Sequence, residues 1–316
     1  MKILITGVAG FIGYKFAELM LKKNYKVVGI DNLNSYYSVK LKKNRLKEIQ
    51  KYKNFSFFKI NLEDKNKVER VFKTNKFKYI FHFAAQAGVR FAIISPRDYL
   101  NSNLIGFFNV LEFARKFKVD RLFISSSSSV YGNIKRHPSM ENFNLNPNNI
   151  YSLSKKFNED LSNSFSKFYN LKITALRFFT VYGEWGRPDM FLMKFISANR
   201  KKKIFYLNNK GNHFRDFTYI NDVTNILYKL FKVKNSKKFE VYNICGSKPI
   251  KISKLVLKLN KLIGKTKIKI IKKNNADVDK THGSNIKLLK KIGKIKFTSI
   301  DNGIKNLTEW FDNYYK

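Results

Sequence analysis

Along this chain, short runs of apolar, often β-branched residues alternate with longer stretches in which apolar residues recur three and four positions apart. Lys2-Ile-Leu-Ile-Thr6, Lys26-Val-Val-Gly-Ile30, Phe55-Ser-Phe-Phe-Lys-Ile60, Tyr79-Ile-Phe-His-Phe83, Arg121-Leu-Phe-Ile124, Leu171-Lys-Ile-Thr-Ala-Leu-Arg177 and Glu240-Val-Tyr-Asn-Ile244 read as strands. The stretches between them predict helices ending near Lys23 and Lys53, then over about Asp64 to Lys73, about Pro96 to Lys116, and from Tyr151 onward. Fully apolar strands that alternate with helices predict an α/β fold, a Rossmann-type doubly wound parallel sheet. A helix to about Asn199, a strand at Phe214 to Ile220 and a final helix through Trp310 predict a smaller mixed α/β C-terminal lobe. Residues 1–180, rejoined by 217–245, are expected to form the nucleotide-binding domain, with 181–216 and 246–316 in the lobe. The chain shows no internal repeat and no low-complexity linker.

The first turn of this pattern carries chemistry. Between the first strand and first helix stands Gly7-Val-Ala-Gly10-Phe-Ile-Gly13, and the second strand ends in Asp31. Gly7 lets the chain turn out of the strand, Gly10 admits a pyrophosphate against the backbone, and Gly13 lets helix and strand pack closely. Phosphates then meet the positive end of the helix. An acid at the end of the second strand accepts hydrogen bonds from the adenosine ribose and repels a 2'-phosphate, which favours NAD over NADP.

Composition narrows the reading. The net charge is +41 over 316 residues, but the excess is lysine spread along the whole chain together with many Asn, Ile, Phe and Tyr. A nucleic-acid surface clusters its charge and uses arginine forks, so no specific nucleic-acid partner is expected; a positive surface still draws in an anionic ligand. No run approaches the ~18–20 apolar residues that span a bilayer, so no membrane insertion is expected. The apolar residues at the N-terminus are used by the first strand, so no signal peptide is expected. A single cysteine, Cys245, excludes an internal disulfide framework and a cysteine-rich metal site, and a cytoplasmic location is expected.

Two further stretches sit where an α/β sheet places its chemistry, beyond the carboxyl ends of its strands. Ala84-Ala-Gln-Ala-Gly-Val-Arg90 leaves the fourth strand with small residues, and Ser125 to Ser129 follow the fifth. His82 reads as a packed strand residue. Tyr151-Ser-Leu-Ser-Lys155 places a phenol and an ammonium on one helix face, one turn apart.

Asp31 to Tyr37 (DNLNSYY), Ala84 to Arg90 (AAQAGVR), Ser126 to Gly132 (SSSSVYG), Val181 to Met190 (VYGEWGRPDM) and Phe214 to Ile220 (FRDFTYI) together resemble the UDP-glucuronate 4-epimerase family, within the extended short-chain dehydrogenase/reductases. The resemblance implies an NAD-dependent isomerase that interconverts UDP-glucuronate and UDP-galacturonate through a transient 4-keto sugar. It makes Tyr151 the acid/base, Lys155 its partner and clamp on the nicotinamide ribose, and Ser127 the hydroxyl that shares the C4 oxygen. Ser128, Ser129, Thr180 and Arg187 surround the sugar and its carboxylate, with Arg90 and Met190 also on the substrate; Arg215 and Asp277 hold the UDP. Gly7, Ala9, Gly10, Phe11, Ile12, Gly13, Asp31, Asn32, Asn61, Leu62, Phe83, Ala84, Ala85, Gln86, Asn101 and Ser125 are implied on the cofactor. The family usually has Pro, Ala and Asp where this chain has Glu184, Phe191 and Asn61 or Ser284. A homodimer through helices near 98–116 and 151–169 is also implied.

The same positions separate the competing activities. Related decarboxylases and 4,6-dehydratases carry Glu or Asp-Glu directly before Val-Tyr-Gly, where this chain has Ser128 and Ser129. Arg187 beside the serine cluster argues against an epimerase for UDP-glucose or UDP-N-acetylglucosamine, which stays an alternative, as does decarboxylation of UDP-glucuronate. A nucleotide-sensing scaffold on this fold is expected to have lost Tyr151 or Lys155, and both are present.

Overall fold

The computed structural model describes residues 1–234, 237–272 and 278–316. Its centre is a seven-stranded parallel sheet built from Lys2–Thr6 (β1), Lys26–Asp31 (β2), Phe55–Lys59 (β3), Phe77–His82 (β4), Arg121–Ser127 (β5), Ile173–Phe178 (β6) and the strand Phe239–Ile244. From one edge the order is Phe239–Ile244, β6, β5, β4, β1, β2, β3. Strand order reverses between β1 and β4, so a crevice opens there at the carboxyl ends.

Strand pleating sorts the apolar runs between two cores. Leu4, Val28, Ile80, Leu122 and Ile173 turn to one face, where Val68 and Phe72 of the helix Lys65–Thr74 and Val110 and Phe113 of the helix Gly106–Lys116 cover them. Ile3, Ile5, Phe81, Phe123 and Leu176 turn to the other, against Phe16 and Met20 of Phe11–Lys22 and Ile226 and Leu230 of Ile220–Lys232. Leu4, Ile80, Leu122 and Ile173 stand in one row across four strands.

Outside this sheet, Thr180–Tyr182, Phe214–Tyr219 and Pro249–Lys251 form a three-stranded sheet, and Phe205–Asn208 pairs with Ile268–Ile271. The last helix, Ile300–Tyr314, brings Trp310 and Tyr314 within 5.3 and 5.1 Å of Trp185, whose other side meets Tyr14 at 5.4 Å. Among the described residues no helix is long and apolar enough to cross a membrane.

Two elements differ from the expectation. The fifth strand runs on through Ser127 because Ser125, Ser126 and Ser127 keep pairing with Leu176, Arg177 and Phe178 of β6, so the serine run begins inside the sheet. The stretch from Pro96 to Lys116 is not one regular helix: Pro96–Tyr99 passes into a wide π turn over Leu100–Ile105 before Gly106–Lys116. Such turns concentrate at functional sites.

Beneath the serines lies a buried polar network. Arg177 of β6 donates from Nε and Nη2 to the two oxygens of Glu159, at 2.9 and 2.7 Å, and Ser126 donates to Glu159 at 2.5 Å. Nη1 of Arg177 reaches the Tyr131 hydroxyl at 2.9 Å, which donates to Asn243 at 2.8 Å. Removing one partner of a buried ion pair leaves the other charge uncompensated. Arg177→Met is therefore expected to lower the unfolding free energy by about 3–5 kcal/mol. Chemical denaturation checks this, and the double variant with Glu159→Leu is expected to regain part of the loss.

Candidate active site

A cleft of about 450 Å³ opens at the carboxyl edge of the sheet, walled by the glycine turn, the ends of β2, β4 and β5, the start of the helix Ile150–Tyr169 and the loop after Tyr182. At its floor the chain leaves β1 through Gly7, whose φ of +70° and distance from Ala84, 2.6 Å from a Cβ position to its nitrogen, admit no side chain. Gly10 starts the helix Phe11–Lys22 without a side-chain cap, which leaves first-turn N–H groups for an anion. Asp31 takes the Ala9 N–H at 3.0 Å on one oxygen and the Leu33 N–H at 2.8 Å on the other, so each oxygen keeps a lone pair for a hydroxyl. Burial pushes its pKa up against those two bonds and the charges of Lys42 and Arg45. Donors for a pyrophosphate, a close backbone and a ribose acceptor are together, so the residues present fit an NAD.

The helix Ile150–Tyr169 starts in a reciprocal cap, Ser152 N–H to Asn149 Oδ1 at 2.9 Å and Asn149 N–H to Ser152 Oγ at 3.2 Å. That cap fixes where Tyr151 emerges. Burial drives the Tyr151 phenol above its ordinary pKa, and the Ser127 hydroxyl and the Arg187 charge pull the other way. One turn on, the Lys155 ammonium is buried and donates to the Ser125 carbonyl at 2.8 Å and its hydroxyl at 3.3 Å. Burial brings Lys155 down to about 8 while Glu159 opposes the fall. Ser127 Oγ in turn accepts from the Ser129 N–H at 3.2 Å and hydroxyl at 2.9 Å. His82 lies buried, paired at 2.9 Å with Thr6, and burial followed by the Lys155 charge holds it near 3 and neutral. It is a packed strand residue.

Gly7, Gly10, Phe11, Ile12, Gly13, Asp31, Asn32, Leu62, Phe83, Ala84, Ala85, Gln86, Ser125, Ser127, Ser128, Ser129, Tyr151, Lys155, Thr180, Arg187 and Met190 share the wall. Ala9 contributes through its backbone bond to Asp31. Asn61, Arg90, Asn101 and Arg215 are not on the wall. Asn61 points out of the strand end while its neighbours Ile60 and Leu62 face in, and Arg90 is at the surface before the short turn Phe91–Ile94. Arg215 donates to the Phe214 carbonyl at 2.8 Å. Asp277 lies outside the described residues.

The site residues implied by the sequence leave out several that line this wall or brace it from behind. Asn103, not Asn101, faces inward from the π turn: it takes the Gln86 N–H at 2.7 Å and donates to the Gln86 carbonyl at 3.1 Å and to Ser154 at 3.0 Å. Lys42 lines the cleft and donates to the carbonyl and side chain of Asn34, at 2.7 and 2.6 Å. Burial lowers Lys42 to about 8 while Asp31 opposes the fall. Arg45 is buried between the glycine turn and the loop that carries Arg187. One arginine among 63 basic residues gave no cue.

Comparison with known proteins agrees with this geometry. Residues 3–245 match the model of the NAD dependent epimerase/dehydratase family. The chain is 39% identical to protein CapI of Staphylococcus aureus over the whole of both chains. It is 36% identical to a UDP-glucuronate 4-epimerase of Thermodesulfobacterium geofontis, over 97% of this chain and 95% of that one. Among solved structures it resembles the UDP-glucuronic acid 4-epimerase of Bacillus cereus in complex with UDP-glucuronic acid and NAD, with a TM-score of 0.93, 28% identity and all of both chains covered. The chain belongs to the NAD dependent epimerase/dehydratase family and, within it, to the UDP-glucuronate 4-epimerases.

Proposed function

We propose that this protein is an NAD-dependent isomerase that interconverts UDP-glucuronate and UDP-galacturonate at C4. The observation that carries the reading is that Tyr151, Ser127 to Ser129, Thr180 and Arg187 share one wall of the cleft that also holds the glycine turn and Asp31. In this reading Gly7 to Gly13 cradle the cofactor's pyrophosphate, Asp31 takes the adenosine ribose and Lys155 the nicotinamide ribose. NAD supplies the hydride acceptor and donor at C4, and ends each cycle unchanged.

Tyr151 takes the proton of the C4 hydroxyl and later returns it. A free phenol with a pKa of about 10 is a weak base at neutral pH. Burial in this cleft weakens it further, so Tyr151 works only when positive charge and hydrogen bonding offset the burial. Ser127 and Arg187 supply part of that offset. Ser127 hands a hydrogen bond to the same C4 oxygen, within its chain to Ser129.

A 4-keto uronate carries its carboxylate β to the ketone and loses CO2 when that bond lines up with the carbonyl π system. Holding the carboxylate out of line needs several donors, and Ser128, Ser129, Thr180 and Arg187 provide hydroxyls and a guanidinium. Arg215 with Asp277 takes the UDP in this reading. The decarboxylase and the neutral-sugar epimerase are the two outcomes this donor set disfavours.

Exposed apolar side chains support a homodimer. Leu100, Ile105 and Phe108 on one helical run and Leu153 and Phe157 on the next are each more than two-fifths exposed, and pairing them with a second copy as a four-helix bundle buries them.

Purified protein given NAD and UDP-glucuronate is expected to yield UDP-galacturonate in a reversible mixture without CO2. Tyr151→Phe should abolish this; release of CO2 with a UDP-pentose would instead identify a decarboxylase. Because Lys155 has a lower pKa folded, about 8, than unfolded, 10.5, its contribution to stability is present above 10.5 and is lost as pH falls through about 8. The stability of the wild type relative to Lys155→Met is thus expected to rise by roughly 3 kcal/mol from pH 8 to 10.5, read by urea denaturation. Leu153→Asp is expected to give a monomer in sedimentation velocity.

A further inference from the structure

Arg187 reaches the cleft wall from the loop after Gly183, and Asp189, two residues on, stands behind it, off the wall. Nε of Arg187 donates to one Asp189 oxygen at 3.0 Å and Nη2 to the other at 2.5 Å, a side-on bidentate pair. Asp189 is braced from a second side, because the Tyr36 hydroxyl donates to it at 3.2 Å. The Tyr36 ring lies 4.9 Å from Phe91 and 5.6 Å from the Arg187 guanidinium. Gly88, at a φ of +102°, comes so close to the Tyr36 hydroxyl that a Cβ there would collide with it. Tyr36 is therefore wedged, and so is the carboxylate it holds. Burial pushes Asp189 up in pKa, but the bonds and charge of Arg187 outweigh it and keep the carboxylate ionised.

A guanidinium has five N–H donors, of which Asp189 engages two. The bonds to Asp189 use Nε and Nη2 and leave the Nη1 edge of the fork turned away from it, for a second carboxylate. An arginine on a loop otherwise brings its rotamer freedom into binding, and ordering it costs affinity. Here the ordering is done before substrate arrives. A neutral hexose, with a hydroxyl at C6, gains little from a fork oriented for a carboxylate.

We propose that Asp189 is a positioning residue that turns the free edge of Arg187 toward the substrate's carboxylate, and so sets the preference for a uronate over a neutral hexose. The proposal rests on Arg187 as the carboxylate's partner. Asp189 touches neither substrate nor cofactor; it acts through Arg187 and is held by Tyr36.

The test is calorimetric binding of UDP-glucuronate, UDP-glucose and UDP to the NAD-loaded protein, for wild type, Asp189→Asn, Arg187→Met and the double variant. Asp189→Asn is expected to weaken UDP-glucuronate roughly tenfold, the scale of one charge-assisted hydrogen bond, while UDP-glucose and UDP stay within about twofold. The double variant is expected to bind no more weakly than Arg187→Met. Tyr36→Phe, which removes the hydroxyl that holds Asp189, is expected to give a smaller loss of the same selectivity. Equal losses for all three ligands, an unchanged UDP-glucuronate affinity or a tighter one would each overturn the proposal. If Arg187→Met itself leaves UDP-glucuronate binding intact, the assignment of Arg187 fails first. A loss in Arg187→Met alone overturns only the role of Asp189.

Discussion

The buried pair of Glu159 with Arg177 is the contact on which the catalytic geometry depends. Glu159 sits one helical turn after Lys155 and two after Tyr151, and Arg177 projects from β6. Their two hydrogen bonds fasten the helix to the sheet, and Ser126 joins the same carboxylate from β5. Tyr131 and Asn243 extend the network, and Asn243 ties the segments at Ser139 and Ser284 through their carbonyls, at 3.0 and 3.1 Å. A buried network of this kind tolerates little: satisfied it orders its surroundings, and with one member gone it becomes a penalty. The serines above it hold their places because the charges below are matched.

Desolvation is the second constraint, and it acts in opposite directions on neighbours. It raises Asp31 and Tyr151, lowers Lys155 and Lys42, and keeps His82 neutral. Every one of these shifts disfavours charge. A cleft that penalises charge amplifies whatever charge a ligand brings, because interactions there are poorly screened. The surface of the protein, rich in lysine, has no part in this; its ion pairs are exposed and worth little. Net charge and catalytic charge are separate matters in this chain, which is why the +41 of the sequence did not point to the function.

The main sheet was legible because apolar runs between turns are its direct image: each of the seven strands lies where such a run stands, with ends shifted by a few residues. Strand ends were less legible, since pairing and not residue type decides them. Ser125 to Ser127 have low strand preference and are in β5 because β6 continues beside them. The glycine turn, Asp31, Tyr151 and Lys155 could be singled out because they form short-spaced patterns, and all of them line one cleft. Asn103 was harder to choose over Asn101, since a π turn changes which residue faces inward. Arg45 acts across long sequence separations and no local pattern marks it, while Asp189 stands inside the VYGEWGRPDM stretch but acts from behind the wall.

Arg45 shows why the two sides of the cleft are one structure. From the helix Val39–Gln50 its Nη1 reaches the Ala9 carbonyl in the glycine turn at 2.8 Å and the Tyr37 hydroxyl at 2.7 Å. Its Nη2 donates to the carbonyls of Trp185 and Gly186 at 2.5 and 3.3 Å. Trp185 has a φ of +64°, a left-handed conformation that costs a bulky residue free energy and persists where surroundings impose it. The Arg45 fork and the rings of Tyr14, Trp310 and Tyr314 impose it. Two residues beyond Trp185 stands Arg187. The same arginine thus spans the glycine turn and the loop that carries Arg187. A 4-epimerase must release its sugar to turn over between two hydride transfers while the rest of the molecule stays fixed. On the proposed function, fastening both ends of the cleft to one buried side chain leaves the sugar as the part that moves.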